Sequence, residues 1–335
     1  MNIIIPMAGR GAALRPHTLT TPKPLTHIAG KPIVQRLIEN IARKCSEPIE
    51  YIGFIVGDVG REVENQLKEI ARSVGTEGRI FYQEQKVGTA HAILCAESLM
   101  DDSVLIAYVD ALFTGGLNTE GDSDGIIWTC EMEDPSQCGV VKMNEDNVIT
   151  KFVEKPTEYI SDKAMIGLYY FRDGTFLKNE LQYLLDNELS DGGQYHITAA
   201  LEIMNQKGAQ FGVAIAEEWL DCGNKDACLH TNKRVLELNK EVEELISPSA
   251  VIENTTLIQP CYIGEGVHLK NSVIGPYVSI EAGTTIEDSI VQNSIIQSHS
   301  YIRHQILTES MIGHSVQLDG NPKVLNVGDF STQSQ

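Results

Sequence analysis

The last quarter of the chain repeats aliphatic residues at a spacing of six. The repeat follows Pro248, and Gly, Asn and Ser separate its aliphatic positions. A six-residue period is typical of a parallel β-helix, in which each coil stacks its aliphatic residues on the next. A meander of short strands in a β-sandwich is the alternative. The recurring spacing favours a β-helix of about four coils of ~18 residues each over residues 248–320. The repeating residues are Ile252 and Ile258; Ile263 and Leu269; Ile274, Ile280 and Ile286; Ile296 and Ile302; and Ile312 and Leu318.

The first 230 residues have a different pattern, in which short apolar runs alternate with amphipathic stretches. This alternation predicts βαβ units and an α/β sheet flanked by helices. Ligands of such sheets collect at the carboxyl ends of the strands. The predicted strands are 2–6, 51–56, 80–83, 104–109, 125–131, 139–143, 149–154, 164–171 and 212–216, and the predicted helices are 32–44, 61–73, 89–100, 175–187 and 197–206.

Two further segments complete the predicted organisation. Residues 229–247 form an amphipathic stretch that ends at Ser247-Pro248, and we interpret it as a helix connecting a domain of residues 1–228 to the β-helix. Residues 321–335 are polar and are predicted to form a loose tail.

Charge and cysteine content exclude several functional classes. The net charge of −20 argues against nucleic acid and against an anionic membrane surface, but a nucleotide needs only local cations. The seven cysteines include no CxxC pair, which favours reduced thiols over a zinc site. The N-terminal apolar run is too short for a secretory signal, and no run reaches the ~20 residues of a membrane span. We therefore expect a cytoplasmic protein.

The stretch "MAGRGAALRPHTLTTPKPL", residues 7–25, follows the apolar run Ile3–Ile5. It indicates a strand that enters a phosphate-binding loop. Such a loop usually offers a cationic side chain to the phosphates in addition to backbone N–H groups. Here the centre of the loop is Gly11-Ala12-Ala13, which offers only backbone. Lys23 lies between two prolines in "TPKPL", a rigid presentation for one cation, although a solvated surface lysine is the alternative.

Two aspartates suit a magnesium site. Asp110 ends the apolar run "VLIAYVD", and Asp221 lies in "WLDCG". Magnesium prefers a few carboxylates together with phosphate oxygens and water. The alternative role of Asp110 is to cap a helix or turn.

Three further residues suit a sugar phosphate. Glu154 and Lys155 end a predicted strand in "FVEKP", where Glu can accept from sugar hydroxyls and Lys can pair with a phosphate. An exposed ion pair is the alternative. Gly139 in "CGVV" permits close approach of the backbone.

Residues 3–32, together with these motifs, resemble the sugar-1-phosphate nucleotidyltransferases. The resemblance is strongest to glucose-1-phosphate thymidylyl- or uridylyltransferases with an appended left-handed β-helix. It implies a Rossmann-like mixed-sheet catalytic domain followed by a short left-handed parallel β-helix. It implies Mg²⁺ held by Asp110 and Asp221, with Lys23 on the triphosphate. By the same resemblance, the nucleotide-binding residues are Ala8, Gly9, Gly11, Gln83, Gly88 and Thr89, and the sugar-phosphate residues are Gly139, Glu154, Lys155, Gly167, His196 and Trp219.

The stretch "YQEQKVGTAHAI" carries the expected base specificity. In the resembling enzymes a Gln five residues before the Gly reads the pyrimidine edge, a position held here by Gln83. Its amide supplies one acceptor and one donor, which match uracil or thymine. Guanylyl-transferring relatives tend to have Glu there, and a shift to Glu84 would favour a mannose-1-phosphate guanylyltransferase. Thr89 is expected to cap the helix that follows Gly88.

The chain departs from the family pattern at two places. The family loop carries Thr, Ser or Lys and then a catalytic Arg, where this chain has Ala12 and Ala13. Loss of such a transition-state contact costs several kcal/mol, so we expect impaired turnover. His196 stands where relatives often have Glu or Gln, which leaves the sugar open.

Two other functions remain open. A catalytically inactive nucleotide-sugar-binding regulatory subunit agrees with Ala13, but the intact aspartate pair argues against it. A bifunctional enzyme would use His299, His304 or His314 for acyl transfer, but this β-helix is short. We also expect a homo-oligomer, dimer or tetramer, because a short β-helix exposes flat aliphatic faces.

Overall fold

The computed structural model describes residues 1–9 and 11–321, which cluster into two compact units. The first unit comprises Met1–Thr26 and Lys31–Ala227, and the second comprises His27–Gly30 and the chain from Cys228 onward. Except for Asn321, the predicted tail 321–335 lies outside the described residues. No helix within the described part of the chain is long and apolar enough to cross a membrane.

Short strands and amphipathic helices alternate along the chain up to Asn239. The strands up to residue 227 are β1 (Asn2–Pro6), β2 (His27–Ile28), β3 (Lys31–Pro32), β4 (Tyr51–Val56), β5 (Glu77–Tyr82), β6 (Val104–Ala107), β7 (Leu112–Thr114), β8 (Gly125–Glu131), β9 (Gly139–Met143), β10 (Ile149–Glu154), β11 (Lys163–Phe171), β12 (Phe211–Ile215) and β13 (Glu218–Leu220). The helices are α1 (Ile33–Lys44), α2 (Gly60–Ser73), α3 (Thr89–Leu94), α4 (Gly174–Asp186), α5 (Ile197–Gln206) and α6 (Lys225–Asn239).

A nine-stranded mixed sheet organises the first unit. Seven strands follow the order β10-β9-β11-β6-β1-β4-β5, while β8 pairs with β11 and β12 pairs with β8. β1 is parallel to both β4 and β6, and β11 runs antiparallel to β6. Residues Ile3, Ile4 and Ile5 are fully buried, as expected for a central parallel strand covered on both faces. This arrangement confirms the predicted α/β class.

The loops that follow the parallel strands meet at one edge of this sheet. These loops are residues 7–25 after β1, 83–88 after β5 and 108–111 after β6. The predicted helix 89–100 is shorter in the structure, because α3 ends at Leu94 and a 3₁₀ turn follows at Glu97–Leu99.

The second unit is a left-handed parallel β-helix with three sheets. Val251 pairs with His268 and His268 with Thr285, a step of 17 residues, while Thr285 pairs with Tyr301 at a step of 16. Each coil is therefore one or two residues shorter than predicted. The strands are β14 (Val251–Glu253), β15 (Thr256–Leu257), β16 (Cys261–Ile263), β17 (His268–Lys270), β18 (Val273–Ile274), β19 (Val278–Ile280), β20 (Thr285–Glu287), β21 (Ile290–Gln292), β22 (Ile295–Ile296), β23 (Tyr301–Arg303), β24 (Ile306–Thr308), β25 (Met311–Ile312) and β26 (Gln317–Asp319).

Stacked aliphatic columns fill the β-helix, as the six-residue period predicts. Leu269, Ile286 and Ile302 stand in register and are buried. The prediction for Ile258 is wrong, because Leu257 pairs with Ile274 while Ile258 is 42% exposed. Side chains alternate along a strand, so placing Leu257 in the column turns its neighbour outward.

The turns of the β-helix explain why asparagine recurs in the sequence. Asn254, Asn271 and Asp288 occupy one corner of successive coils with φ of 45°, 49° and 47°. Asn is among the few non-glycine residues that tolerate this left-handed region. Asn254 Nδ2 donates to Asn271 Oδ1 at 2.9 Å, and Asn271 Nδ2 donates to Asp288 Oδ1 at 3.1 Å. The corner is therefore a hydrogen-bonded ladder.

The connecting helix differs from the predicted span 229–247. α6 begins at Lys225 and ends at Asn239. Val242, which lies within the predicted span, is outside the observed helix and 71% exposed. Ile263 N–H donates to the carbonyl of Leu245 at 2.8 Å, and Ile246 bridges Ile263 in parallel. The backbone before Ser247 already belongs to the first coil, which is why the helix ends early.

Candidate active site

Two clefts lie beside the carboxyl ends of the strands of the first unit. The first cleft has a volume of about 340 Å³ and the second about 250 Å³. Both are lined by Thr89, Tyr108 and Asp110, so the two clefts adjoin. Of the predicted site residues, the first cleft brings together Ala8, Gly9, Gly11, Lys23, Gln83, Gly88, Thr89 and Asp110. The second brings together Thr89, Asp110, Gly139, Glu154, Gly167, His196, Trp219 and Asp221.

The loop of the first cleft is held in place without the side chains of its two alanines. Gly11 has φ of 59°, and its carbonyl accepts from Thr18 Oγ1 at 2.7 Å. A 3₁₀ turn, Ala12–Leu14, follows and is anchored by the buried Leu14. Ala12 and Ala13 are exposed, and neither lines the cleft. The loop therefore offers backbone to the cleft, as the sequence predicts.

Lys23 and Asp110 form an ion pair where the clefts adjoin. Lys23 Nζ donates to Asp110 Oδ2 at 2.7 Å, and the lysine side chain is only 13% exposed. Lys23 is thus not the solvated surface lysine of the alternative. Burial lowers the pKa of Lys23, but Asp110, with smaller contributions from Cys222 and Asp221, outweighs it and raises the pKa above its usual value. The ammonium group stays charged.

Asp221 supplies a second carboxylate close to Asp110. Burial, followed by the charge of Asp110, raises the pKa of Asp221 above its usual value. The charge of Lys23 partly offsets this effect, and so does the N–H of Gly223, which donates to Asp221 Oδ1 at 2.8 Å. Two repelling carboxylates favour a divalent cation with oxygen ligands. The described residues contain no group of three or more His, Cys, Asp or Glu suited to a metal.

Gly88 and Thr89 have roles that sequence spacing did not reveal. A Cβ on Gly88, whose φ is 121°, would lie 2.3 Å from the carbonyl oxygen of Tyr195. Glycine is required there by packing against the Tyr195 backbone. Thr89 was expected to cap its own helix, but its hydroxyl accepts from the N–H of Ile197, the first residue of α5, at 3.0 Å. Thr89, the first residue of α3, is therefore hydrogen-bonded to the first residue of α5, and it lines both clefts.

Side chains dominate the second cleft. Thr198 Oγ1 donates to Glu154 Oε2 at 2.6 Å. A Cβ on Gly139 would lie 2.3 Å from Met165 Cε and 3.2 Å from Glu154 Oε2. Any residue larger than glycine would therefore crowd the Glu154 carboxylate. Trp219 Nε1 is buried with no hydrogen-bond partner among the described residues. A buried polar group without a partner calls for an explanation, such as a bound ligand or water.

The remaining predicted residues of the second cleft fall into two groups. Gly167, with φ of 87°, packs on Tyr108 and accepts from its N–H at 2.8 Å. His196 Nδ1 lies 3.9 Å from Glu154 Oε1. Lys155 differs, because it is exposed on the turn after β10 with φ of 40° and lines neither cleft. The structure does not bring Lys155 into the site.

Several lining residues were not foreseen from the sequence, and four of them carry groups relevant to the chemistry of the clefts. Lys86 lines the first cleft, and Tyr108 lines both. Burial raises the pKa of Tyr108, so its hydroxyl stays neutral. Thr198 and Cys138 line the second cleft, and burial, then Asp221 and Glu154, raise the pKa of the Cys138 thiol. The one available signal was position, since Lys86 is three residues after Gln83 and Thr198 two after His196.

Comparison with known proteins gives consistent matches. The family model described as Nucleotidyl transferase matches residues 2–237. The glucose-1-phosphate thymidylyltransferase of Streptomyces antibioticus is 29% identical over 95% of this chain and 93% of its own length. The glucose-1-phosphate thymidylyltransferase of Streptomyces griseus is 26% identical over 99% of this chain and 98% of its own length. Bifunctional protein GlmU of Methanococcus maripaludis is 30% identical over 81% of this chain and 62% of its own.

One solved structure supports the fold. A Bacillus anthracis protein assigned as a glucose-1-phosphate thymidylyltransferase, in complex with a sucrose, superposes with a TM-score of 0.59. It is 20% identical, and the match covers 72% of this chain and 96% of that one. At this identity the likeness concerns the fold alone.

Proposed function

Because the chain belongs to the nucleotidyl transferase family, we propose that it joins UTP or dTTP to glucose 1-phosphate and releases pyrophosphate. Sugar-1-phosphate nucleotidyl transfer is the activity of its relatives named glucose-1-phosphate thymidylyltransferase, which align over nearly their whole length. Those names support glucose 1-phosphate and dTTP, and Gln83 in the first cleft supports a pyrimidine.

The observation that carries the proposal is that Asp110 lines both clefts. The first cleft has the backbone loop and Lys23, which suit a triphosphate, and the second has Glu154, Trp219 and Asp221, which suit a sugar phosphate. Ligands in adjoining clefts place the phosphate oxygen of the sugar against the α-phosphorus, where proximity alone contributes a large part of the rate.

The reaction requires little covalent chemistry from the protein. A phosphate oxygen of the sugar phosphate attacks the α-phosphorus, a new P–O bond forms, and the bond to the bridging oxygen of the β-phosphate breaks. Lys23 offsets the phosphate charge that builds up, and its raised pKa keeps it protonated. Asp110 and Asp221 would hold Mg²⁺, which supplies Lewis-acid polarisation of phosphate oxygens when bound.

The second cleft would orient the sugar. Glu154 is fixed by the hydroxyl of Thr198 and would accept hydrogen bonds from sugar hydroxyls. Trp219 lines the same cleft, where its ring would pack against the sugar. His196, in the same cleft, is the residue whose identity bears on which sugar binds.

The absence of a cationic side chain at Ala12 and Ala13 implies slow turnover. Lys23 is paired with Asp110, and Ala13 stands where the family carries Arg. Within the described residues, the other cation lining the first cleft is Lys86, which has no ion pair there. The arrangement favours binding of the triphosphate with a deficit in the chemical step.

A pyrophosphate-release assay tests the proposal directly. The protein is incubated with Mg²⁺, each of UTP, dTTP, GTP, CTP and ATP, and glucose or mannose 1-phosphate. We expect turnover with UTP or dTTP and glucose 1-phosphate, below the ordinary ~10 s⁻¹. Turnover with GTP and mannose 1-phosphate alone would contradict the proposal, and binding without any turnover would favour the regulatory subunit instead.

Two properties outside the site complete the proposal. We propose a cytoplasmic location, since all seven cysteines are unpaired.

We also propose a homo-oligomer built through the β-helix, where Ile290 and Ile306 pair in register and are 47% and 80% exposed. Ile306→Asp should lower the mass in light scattering, whereas Thr308→Asp, an exposed position of the same strand, serves as the matched control.

A further inference from the structure

Gln83 uses both hydrogens of its side-chain amide inside the protein. Its Nε2 lies 3.0 Å from the carbonyl oxygen of Gly88 and 3.2 Å from Nδ1 of His91. The side chain is buried, with 6% exposure, at the wall of the first cleft. An amide nitrogen carries two hydrogens and no lone pair for hydrogen bonding, so these two contacts account for its whole donor capacity.

The same contacts determine which way the amide points. If the amide were turned over, Oε1 would stand against the carbonyl oxygen of Gly88, and two acceptors would face each other. Nε2 therefore occupies that position. Because Nε2 can only donate, Nδ1 of His91 must accept, and the neutral ring carries its proton on Nε2. Among the described residues, Oε1 of Gln83 accepts no hydrogen bond.

We propose that His91 is a positioning residue that makes Gln83 a pure acceptor and thereby selects uracil or thymine against cytosine. The proposal rests on the proposed function, since it assigns the base to the first cleft. His91 takes the second amide hydrogen, which would otherwise be free to donate to a ligand. Gln83 then presents Oε1 alone, instead of the donor-acceptor pair that the sequence suggests.

The pyrimidines differ at the atom that Oε1 would meet. Uracil and thymine carry a donor at N3–H, whereas N3 of cytosine is an acceptor. A buried acceptor placed against an acceptor loses its hydrogen bond and keeps the desolvation cost, which corresponds to at least about a tenfold loss of affinity. Guanine also carries a ring N–H, so this device does not by itself exclude GTP.

Calorimetric titration of the full-length protein with UTP, dTTP and CTP tests the inference. We expect the wild type to bind UTP and dTTP at least about tenfold more tightly than CTP. His91→Leu frees the second amide hydrogen, and the preference over CTP should shrink about tenfold. His91→Asn, whose Oδ1 can accept in place of Nδ1, should restore it. A merely structural role for His91 would weaken all three nucleotides equally.

A second measurement does not depend on the variants folding. Nitrogen-15 NMR of the imidazole in the wild-type protein should find Nδ1 unprotonated and Nε2–H present. A proton on Nδ1, or equal affinity for UTP and CTP in the wild type, would overturn the inference while leaving nucleotide binding in place. Failure to bind any of the three triphosphates would overturn both the inference and the proposed function.

Discussion

The two clefts that adjoin at Asp110 are built from different parts of the chain and in different ways. The wall of the first comes from loops after parallel strands, and it offers backbone groups, Lys23 and a Gln83 amide whose donors are already used. The second is lined by side chains of antiparallel strands and of α5, and Glu154 and Trp219 retain unfilled hydrogen-bonding capacity. Under the proposed function, the first cleft is the phosphate side, where Ala13 replaces the expected Arg, and the second cleft is the sugar side.

This contrast has an electrostatic side. Asp110 is neutralised by Lys23 at 2.7 Å, whereas burial and the charge of Asp110 raise the pKa of Asp221. Ionisation of Asp221 is therefore disfavoured beside Asp110, and the proposed Mg²⁺ would offset this effect. Substitutions on either side of Asp110 test whether the two clefts are in fact separable in this way.

The largest effect is expected at the acidic pair. Asp110→Asn and Asp221→Asn should each lower Mg²⁺-dependent turnover by at least about 10³-fold, because each removes a metal-holding charge worth several kcal/mol. Pyrophosphate release is measured in the Ala13→Arg background, where the starting rate is higher. Asp226→Asn, an exposed aspartate nearby in sequence, is the matched control. Unchanged turnover in either variant would remove that residue from the site.

The next effect separates the phosphate side from the sugar side. Ala13→Arg should raise kcat by at least about 10²-fold, the scale of one transition-state contact. Steady-state kinetics with UTP or dTTP and glucose 1-phosphate give the value, and Ala13→Gln controls for side-chain length without charge. If Ala13→Gln accelerates turnover as much as Ala13→Arg, the missing group is not a cation.

A smaller effect is expected at the second cleft. Thr198→Val removes the hydroxyl that donates to Glu154 at 2.6 Å, and a hydrogen bond to a charged group is worth about tenfold in affinity. The KM for the sugar phosphate should rise about tenfold, while the KM for the nucleotide stays nearly constant. Thr198→Ser keeps the hydroxyl and should behave as the wild type. Equal changes in both KM values would mean that the clefts are not independent.

The smallest effect concerns stability. An acid whose pKa is raised by folding binds its proton more tightly in the folded state, so ionisation costs stability as pH rises through the window above its unfolded value. At pH 8 with chelator present, Asp221→Asn should therefore raise the melting temperature by about 2 °C. The wild-type melting temperature should fall as pH rises through that window, and that of the Asp221→Asn variant should not follow it. A lower melting temperature in the variant would contradict the repulsion between the carboxylates.

Local patterns in the sequence predicted much of this molecule. The six-residue aliphatic period, as in Ile280 and Ile286 or Ile296 and Ile302, predicted the β-helix. Short apolar runs predicted β1 and β6, and therefore the loops that carry Gly11 and Asp110. In both cases the signal lies within one coil or one strand and its turn.

Contacts between distant segments were not predictable in this way. Thr198 meets Glu154 across 44 residues, and Thr89 meets Ile197 across 108. Gly88 is explained only by the backbone of Tyr195, and the early end of α6 only by pairing of Ile246 with Ile263. Such pairs depend on how the antiparallel strands and the first coil pack, which no short spacing encodes.

Equilibrium binding tests the central contrast most directly. Calorimetric titrations with Mg²⁺ should compare the wild type and Ala13→Arg, using a non-reactive analogue of UTP or dTTP and, separately, glucose 1-phosphate. We expect both dissociation constants to agree within about threefold between the two proteins, because the missing cation acts on the transition state and not on ground-state binding. Tenfold or greater tightening of either ligand in Ala13→Arg would contradict this assignment.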